Sequence, residues 1–353
     1  MNSGAVQGLS ESINPPTHEE GFLRSIRHSN EVFSVFKTHA MGTKMAERLI
    51  GEDGKLRSFE EWRKAVAPIA RHQVGSWLRT EYDTAVIRAH QAADWLEFEA
   101  NKDIFPNLQW MPTTSVSPES SHQVFWSKPV ILPVDDPFWQ EHRPGDRWNC
   151  KCSLDATDAD VQRLDPQERK EAAKPEHQAQ RGLEGNPVYK GLITDKHPYY
   201  PESCAKCPFY SSKGIKGWVR KHLSNRVKDC HNCPHVDLKI FQAKLSEQYP
   251  LDRWEHTFIS DSGGYVVTER LRIKEGKVNS TERDKFNKEL ETAKVMAKHG
   301  FAIVYLGESG RTQGKTYDIL LNGISCEIKC FSGKQGGAIE EQLKYAFSSQ
   351  GAK

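Results

Sequence analysis

Apolar positions change their period several times along this chain, and each change marks a different kind of element. Residues 1–20 have no apolar period and are rich in Ser, Gly, Asn and Pro, which predicts a flexible tail. A helical region follows. Ser58-Phe59-Glu60-Glu61 has the spacing of a capping box, with Ser58 as N-cap and Glu61 reaching back to its amide. Trp62, Val66, Ile69, Ala70 and Val74 then recur at helical spacing, and Pro68 among them predicts a kink or break. A second stripe of Leu78, Tyr82, Ala85, Val86, Ala89, Ala93 and Leu96 runs from about Trp77 to Lys102. The two stripes read as an antiparallel helical pair.

From Pro106 to Cys152 the pattern becomes short apolar runs between prolines, as in HQVFWSKPVILPV and DDPFWQEHRPGDRWNCKC. Prolines at that density forbid a long helix and predict a compact, loop-rich unit with short strands. Residues 155–185 are charged and Ala-rich, an exposed helix or linker, and a Cys-rich segment occupies 201–236. Toward the end, Glu282 to His299 is amphipathic, with Phe286, Leu290, Ala293 and Ala297 on its inner side and Gly300 where a C-cap glycine belongs. FAIVYL, TYDILLN and SCEIKCF read as strands, the last two joined by Asn322-Gly323, a dipeptide suited to a tight hairpin. A last helix is expected from about Ala338 to Ser348. The fold class is therefore multidomain α+β: a tail over 1–20, a helical domain with a small β unit over 21–156, a linker over 157–200, a Cys-rich connector over 201–245 and an α/β domain over 246–353.

Composition narrows the function classes. Of the 353 residues 37% are hydrophobic and 27% charged, and no run approaches the roughly 18 apolar residues of a membrane span. The opening MNSGAVQGLSESINPP has neither the basic nor the apolar region of a secretion signal, so folding in the cytoplasm of whatever cell makes the protein is expected. A net charge of +2 neither favours nor excludes nucleic acid. The basic group Lys213, Lys216, Arg220, Lys221, Arg226 and Lys228 reads first as a solvated helix face and second as a phosphate contact.

The eight cysteines come as four close pairs, a pattern of metal ligands or buried thiols where no secretion signal directs them to disulfides. Cys204-Ala-Lys-Cys207 and Cys230-His-Asn-Cys233 form a C-x2-C-x22-C-x2-C constellation, with a proline after each pair (Pro208, Pro234). Four thiolates so spaced suit a structural zinc, which would staple a segment too polar to fold alone. His222, His231 and His235 are substitute ligands. His122, Cys150 and Cys152 could form part of a second metal site, but Cys-x-Cys is tighter than a knuckle, and packing of both thiols with Trp148 in a small core is the preferred reading.

Asp318 and Glu327-Ile328-Lys329 carry the strongest catalytic signal, D-x8-E-x-K across the Asn322-Gly323 turn. Strand period two puts Glu327 and Lys329 on one face, and the hairpin can return Asp318 beside them. Two carboxylates can then hold Mg²⁺ or Mn²⁺ while the lysine orients a water for attack on phosphate. Cys326 and Cys330 face the other way as packing residues, and His299 reads as a helix cap.

Two resemblances add to this. FKTHAMGTKMAERLIGEDGKLRSFEEWRKA, WLRTEYDTAVIRAHQAADW, LQWMPTTSVSPESSHQ and DDPFWQEHRPGDRWNCKCSL, over about residues 30–155, resemble the phage Mu F-like minor head (head morphogenesis) family. That likeness implies a structural role in head assembly or DNA delivery, with head and portal proteins as partners and the virion as destination. Where many relatives carry an Asp-Arg pair this chain reads Ser115-Val116-Ser117-Pro118-Glu119, so no catalytic residue is assigned there.

The D-x8-E-x-K segment resembles the PD-(D/E)xK, restriction-endonuclease-like nucleases, with Tyr317 in the place of their proline. In that family the preceding helix often supplies an acid, here Glu291 or Glu289, and the following helix a glutamine, Gln350 or Gln342. ETAKVMAKHGFAIVYL and TYDILLNGISCEIK, within about 255–353, are similar to the tRNase domains of contact-dependent growth inhibition and related polymorphic toxins. That likeness implies a tRNA nuclease with a cognate immunity protein. Such a fold would continue with at least one more strand after Lys353, which leaves two readings open: a fragment of a longer chain, or an incomplete and inactive domain. Two other readings stand beside it: a purely structural head protein whose last domain binds without cutting, and a metal-independent barnase-like RNase. The choice between RNA and DNA stays open at this point.

Overall fold

The computed structural model describes residues 19–115, 120–210, 226–307 and 319–326. The chain divides into two compact units, Met1–Asp237 and Leu238–Lys353. No helix among the described residues is long and apolar enough to cross a membrane.

The first unit opens with helix α1 (Glu19–Ala46), α2 (Phe59–Arg71) and α3 (Trp77–Asn101). The capping box forms as expected: Ser58 N donates to Glu61 Oε2 at 2.9 Å, and Glu61 N to Ser58 Oγ at 3.4 Å. Trp62 Nε1 donates to Met45 O and ties α2 to α1 (2.9 Å). Pro68 does not break α2, which continues to Arg71. The interruption comes instead at a π turn, His72–Ser76, where Gly75 leaves helical geometry (φ −98°, ψ −109°). Glycine has the backbone freedom for that departure. A single turn thus stands where a loop between antiparallel partners was expected.

Beyond α3 lies a three-stranded antiparallel sheet in the order β2-β1-β3, formed by β1 (Asn107–Met111), β2 (Ile131–Pro133) and β3 (Ser153–Thr157). Short helices α4 (Gln123–Trp126) and α5 (Phe138–Glu141) lie between its strands. Its core gathers Trp95, Leu108, Trp110, Phe125, Leu132 and Trp139 with Cys150 and Cys152. Trp110 stacks on Phe125 with ring centroids 4.7 Å apart. This is the loop-rich β unit that the prolines predicted.

The stretch read as a linker, 157–200, is folded into this unit. It contains α6 (Pro166–Ala172) and α7 (Pro187–Lys190), and Leu183 and Leu192 are fully buried. Arg88, itself fully buried on α3, explains why. Its guanidinium donates to the carbonyls of Leu192 (2.6 Å), Gly145 (2.8 Å), Leu183 (2.9 Å) and Gly185 (3.3 Å). A planar fork of five donors satisfies several backbone acceptors at once, so one side chain pins two distant segments to α3.

Helix α8 (Pro234–Gln248) begins on the last four residues of the first unit and continues into the second. The second unit is a five-stranded sheet in the order β4-β5-β6-β7-β8, with β4 (Trp254–Ile259), β5 (Tyr265–Glu269), β6 (Ala302–Tyr305), β7 (Ile319–Leu321) and β8 (Ile324–Cys326). Among the described strands of this sheet only β5 and β6 run parallel, joined through α9 (Arg270–Glu275) and α10 (Ser280–Lys298). Side-chain alternation divides the sheet between two cores. Val266, Ile303 and Tyr305 pack with Phe286, Ala293 and Ala297 of α10, while Val267, Val304 and Leu306 pack with Leu245 and Phe241 of α8. The Asn322-Gly323 turn has positive φ at both residues (51° and 83°), the geometry of a type I′ hairpin. Strands β4 and β5 were not anticipated, although Asp261-Ser262-Gly263-Gly264 between two apolar runs is a turn signal.

Candidate metal centre

The first unit brings His122, Cys150 and Cys152 together. Their ligand atoms all lie within 4.8 Å of one another, and all three residues are buried. His122 closes a 3-10 turn (Ser120–His122), with its ring between Trp110 (centroids 5.3 Å apart) and Phe125 (5.9 Å). Its Nδ1 faces Cys150 Sγ at 3.3 Å and Cys152 Sγ at 3.7 Å.

Local sequence explains the pair of thiols. Asn149 holds a left-handed φ of 60°, which asparagine tolerates better than most residues, and its amide is fixed by Thr84 Oγ1 at 3.1 Å. From there Cys150 and Cys152 are buried and Lys151 exposed, the alternation of extended chain leading into β3. Cys-x-Cys in extended backbone puts both sulfurs on one side, so it needs no knuckle turn.

On the far edge of the imidazole, His122 Nε2 meets Asp146 Oδ1 at 2.7 Å. Asp146 is completely buried, on a turn that Gly145 makes possible at φ +80°, and its other oxygen accepts from Arg143 N at 3.4 Å. Gly145 also supplies one of the carbonyls that Arg88 holds. Burial opposes charge on His122, but the hydrogen bond to Asp146 and the contact with Cys150 outweigh it and raise its pKa to about 9. The Cys150 thiol is pushed up by its hydrogen bond with Cys152 and by burial, against the pull of His122.

The four knuckle cysteines are arranged differently. Cys204, Cys207, Cys230 and Cys233 line one cavity of about 10 Å³, together with Tyr210, Arg226, Lys228 and His235. They face a common space, yet no three of their sulfurs come within 4.8 Å of one another. Burial raises the pKa of Cys230 and of Cys204. His231 turns away, its Nε2 against Ile193 O at 3.1 Å, whereas His235 stacks on Tyr210 beside the cavity (4.7 Å). No disulfide links the described cysteines.

Of the predicted nuclease residues, Asp318, Glu327, Lys329, Gln342 and Gln350 lie outside the described residues, as do His222, Cys330, the helix expected over 338–348 and most of the basic group. Glu291 is described and faces outward, paired with Lys294 at 2.7 Å, which lowers its pKa. Glu289 is buried and meets Arg272 Nη2 at 3.2 Å. Of the two acids the helix could offer, Glu289 is therefore the inward one. His299 stands at the C-cap of α10, and Cys326 packs against that helix's core. Sequence reasoning overlooked Asp146, Arg88 and Glu269, whose Oε2 accepts from Gly307 N at 2.7 Å.

The fold and the site together describe a protein of two α/β units, the first organised around a buried histidine–dicysteine cluster suited to a metal ion. Over 120 residues the chain is 30% identical to the Mu-like prophage FluMu F protein of Haemophilus influenzae, covering 33% of this chain and 28% of that protein. The chain thus spans well under a third of the length of the curated relative it matches. No protein-family profile matches it, and no solved structure does.

Proposed function

We propose that this chain is a minor head protein of the Mu F type whose second unit is a metal-dependent nuclease acting on RNA, with tRNA the first substrate to test. The observation that carries the head reading is the 120-residue similarity to the FluMu F protein. Its partners are then the head and portal proteins of a phage particle, and its places are the bacterial cytoplasm during assembly and the virion afterwards.

The nuclease reading draws support from the order of elements in the second unit. Helix α10 is followed by β6, β7 and β8, three neighbouring antiparallel strands. The last described rung of the β7–β8 hairpin pairs Ile319 with Cys326, whose sequence neighbours are Asp318 and Glu327. Mg²⁺ or Mn²⁺ on those two carboxylates would neutralise charge building on a phosphate, and Lys329 would orient the attacking water. The four knuckle cysteines, which share one cavity, would hold a structural zinc. A toxin of this kind calls for a cognate immunity protein.

The test is expression of the intact chain in bacteria beside its Asp318→Ala variant. Growth arrest and cleaved tRNA on a gel, both abolished by the substitution and by EDTA, are expected. Cleavage that survives EDTA moves the reading to a barnase-like RNase. A folded intact chain that neither arrests growth nor cuts RNA leaves a purely structural head protein.

A further inference from the structure

We infer that His122 Nδ1, Cys150 Sγ and Cys152 Sγ bind one zinc-class divalent ion, with water completing the tetrahedron and Asp146 as the positioning residue. This site is separate from the four knuckle cysteines and independent of the nuclease reading.

Distance is the first argument. Zinc bonds of about 2.05 Å to imidazole nitrogen and 2.3 Å to sulfur, at the tetrahedral angle, set nitrogen and sulfur about 3.6 Å apart. The distances from His122 Nδ1 to Cys150 Sγ and Cys152 Sγ, 3.3 and 3.7 Å, bracket that value. Both sulfurs converge on the same imidazole nitrogen, and the three ligand atoms lie within 4.8 Å of one another, so one cation can meet all three.

The second argument is orientation. A metal-binding histidine almost always gives its other ring N–H to a carboxylate, carbonyl or water, which fixes the tautomer and makes the ligand more basic. His122 Nε2 lies 2.7 Å from Asp146 Oδ1, the carboxylate partner that such a ligand takes. On binding, both thiols and His122 Nδ1 give up their protons to solvent, while His122 keeps its proton on Nε2 facing Asp146. The ion and two thiolates are then neutral together, leaving the Asp146 charge to the guanidinium groups of Arg88 and Arg143, on both of which it acts.

The third argument is enclosure. The three ligands sit in the aromatic core of the β unit, so the ion has a structural role: it clasps the turn before α4 to the chain entering β3. Zinc fits thiolate and imidazole ligands and brings no redox chemistry into that core.

The experiment uses the intact chain with Cys204, Cys207, Cys230 and Cys233 all changed to Ser. Metal content after gel filtration, and the absorption spectrum of the cobalt(II) form, are compared with the same chain also carrying Cys152→Ser. One ion per chain is expected before the added change, with tetrahedral cobalt bands and thiolate charge transfer, and none after it. A folded four-serine chain that holds no ion overturns the site. Should that chain not fold, Asp146→Asn in the native sequence decides, because it keeps every ligand. Chelator competition should then show one ion held about 10–100-fold more weakly. Unchanged affinity for every bound ion overturns the proposal.

Discussion

Cys150 and Cys152 lie in an aromatic core and face an imidazole that a buried carboxylate holds in place. Cys204, Cys207, Cys230 and Cys233 line a small cavity among Arg226, Lys228 and Asp229, and two of the four are only half-buried. The first group has three ligand atoms already gathered, and the second has four thiols that share a space without converging. Their difference lies in support rather than ligand number. Asp146 orients His122, Arg88 anchors Gly145 next to Asp146, and Thr84 fixes Asn149 next to Cys150. An organised surrounding holds ligands in place before any ion arrives, and that shell separates a preformed site from one the ion must assemble.

The largest effect should separate the two groups directly. Cys152→Ser removes a ligand from a closed core and should cost the first unit on the order of 3–5 kcal/mol, the scale of a lost metal or broken buried network. Cys204→Ser, at a partly exposed position, should cost distinctly less. Thermal unfolding of both variants, with and without chelator, checks this, and equal losses would erase the distinction.

Next in size is Arg88→Met. Four carbonyls lose their donor, and the loss of that buried network should destabilise the first unit by about 3 kcal/mol in urea unfolding. Because Gly145 is one of the four, ion affinity at His122 should fall while affinity at the knuckles stays put. An equal fall at both would make Arg88 a general support with no link to either group.

His197 supplies an acid-sensitive element outside both groups. It is buried between Phe33 and Trp148, and burial depresses its pKa to about 4, with Arg181 and Lys37 adding to the shift. The folded value lies below the unfolded one of about 6.5, so its contribution is complete above pH 6.5 and fades as pH falls toward 4. The loss should approach about 3 kcal/mol. In chelator-treated protein, His197→Gln should flatten that limb of the stability–pH curve. A limb that keeps its slope assigns the acid sensitivity elsewhere.

The smallest effect belongs to Ser58→Ala, which removes the capping box of α2 and should cost about 1 kcal/mol without changing metal content. Thermal unfolding and metal analysis of the same sample check both halves.

Features set by neighbours in sequence could be read from sequence. The Ser58–Glu61 box, the Asn322-Gly323 hairpin and the inner stripe of α10 each depend on residues within a turn or two. That stripe already implied which acid points inward, since Glu289 stands three residues from Phe286 and four from Ala293. Naming Glu291 first passed over that spacing. Features set by distant partners were legible only in part: His122, Cys150 and Cys152 were grouped from the sequence as a possible metal site, with packing preferred. Cys-x-Cys looked too tight for a metal because knuckle geometry assumes a turn, whereas here extended chain presents both sulfurs to a histidine 28 residues upstream of Cys150. The 157–200 segment looked like a linker because its anchor is an arginine about a hundred residues earlier. Pro68 was expected to kink or break its helix, but the departure from helical geometry lies at Gly75.

The most direct measurement is a zinc-edge anomalous difference map from crystals of the intact chain grown with zinc. A peak between His122 Nδ1, Cys150 Sγ and Cys152 Sγ is the predicted result, whatever the knuckles hold. Density confined to the sulfurs of Cys204, Cys207, Cys230 and Cys233, with none beside His122, would contradict the account.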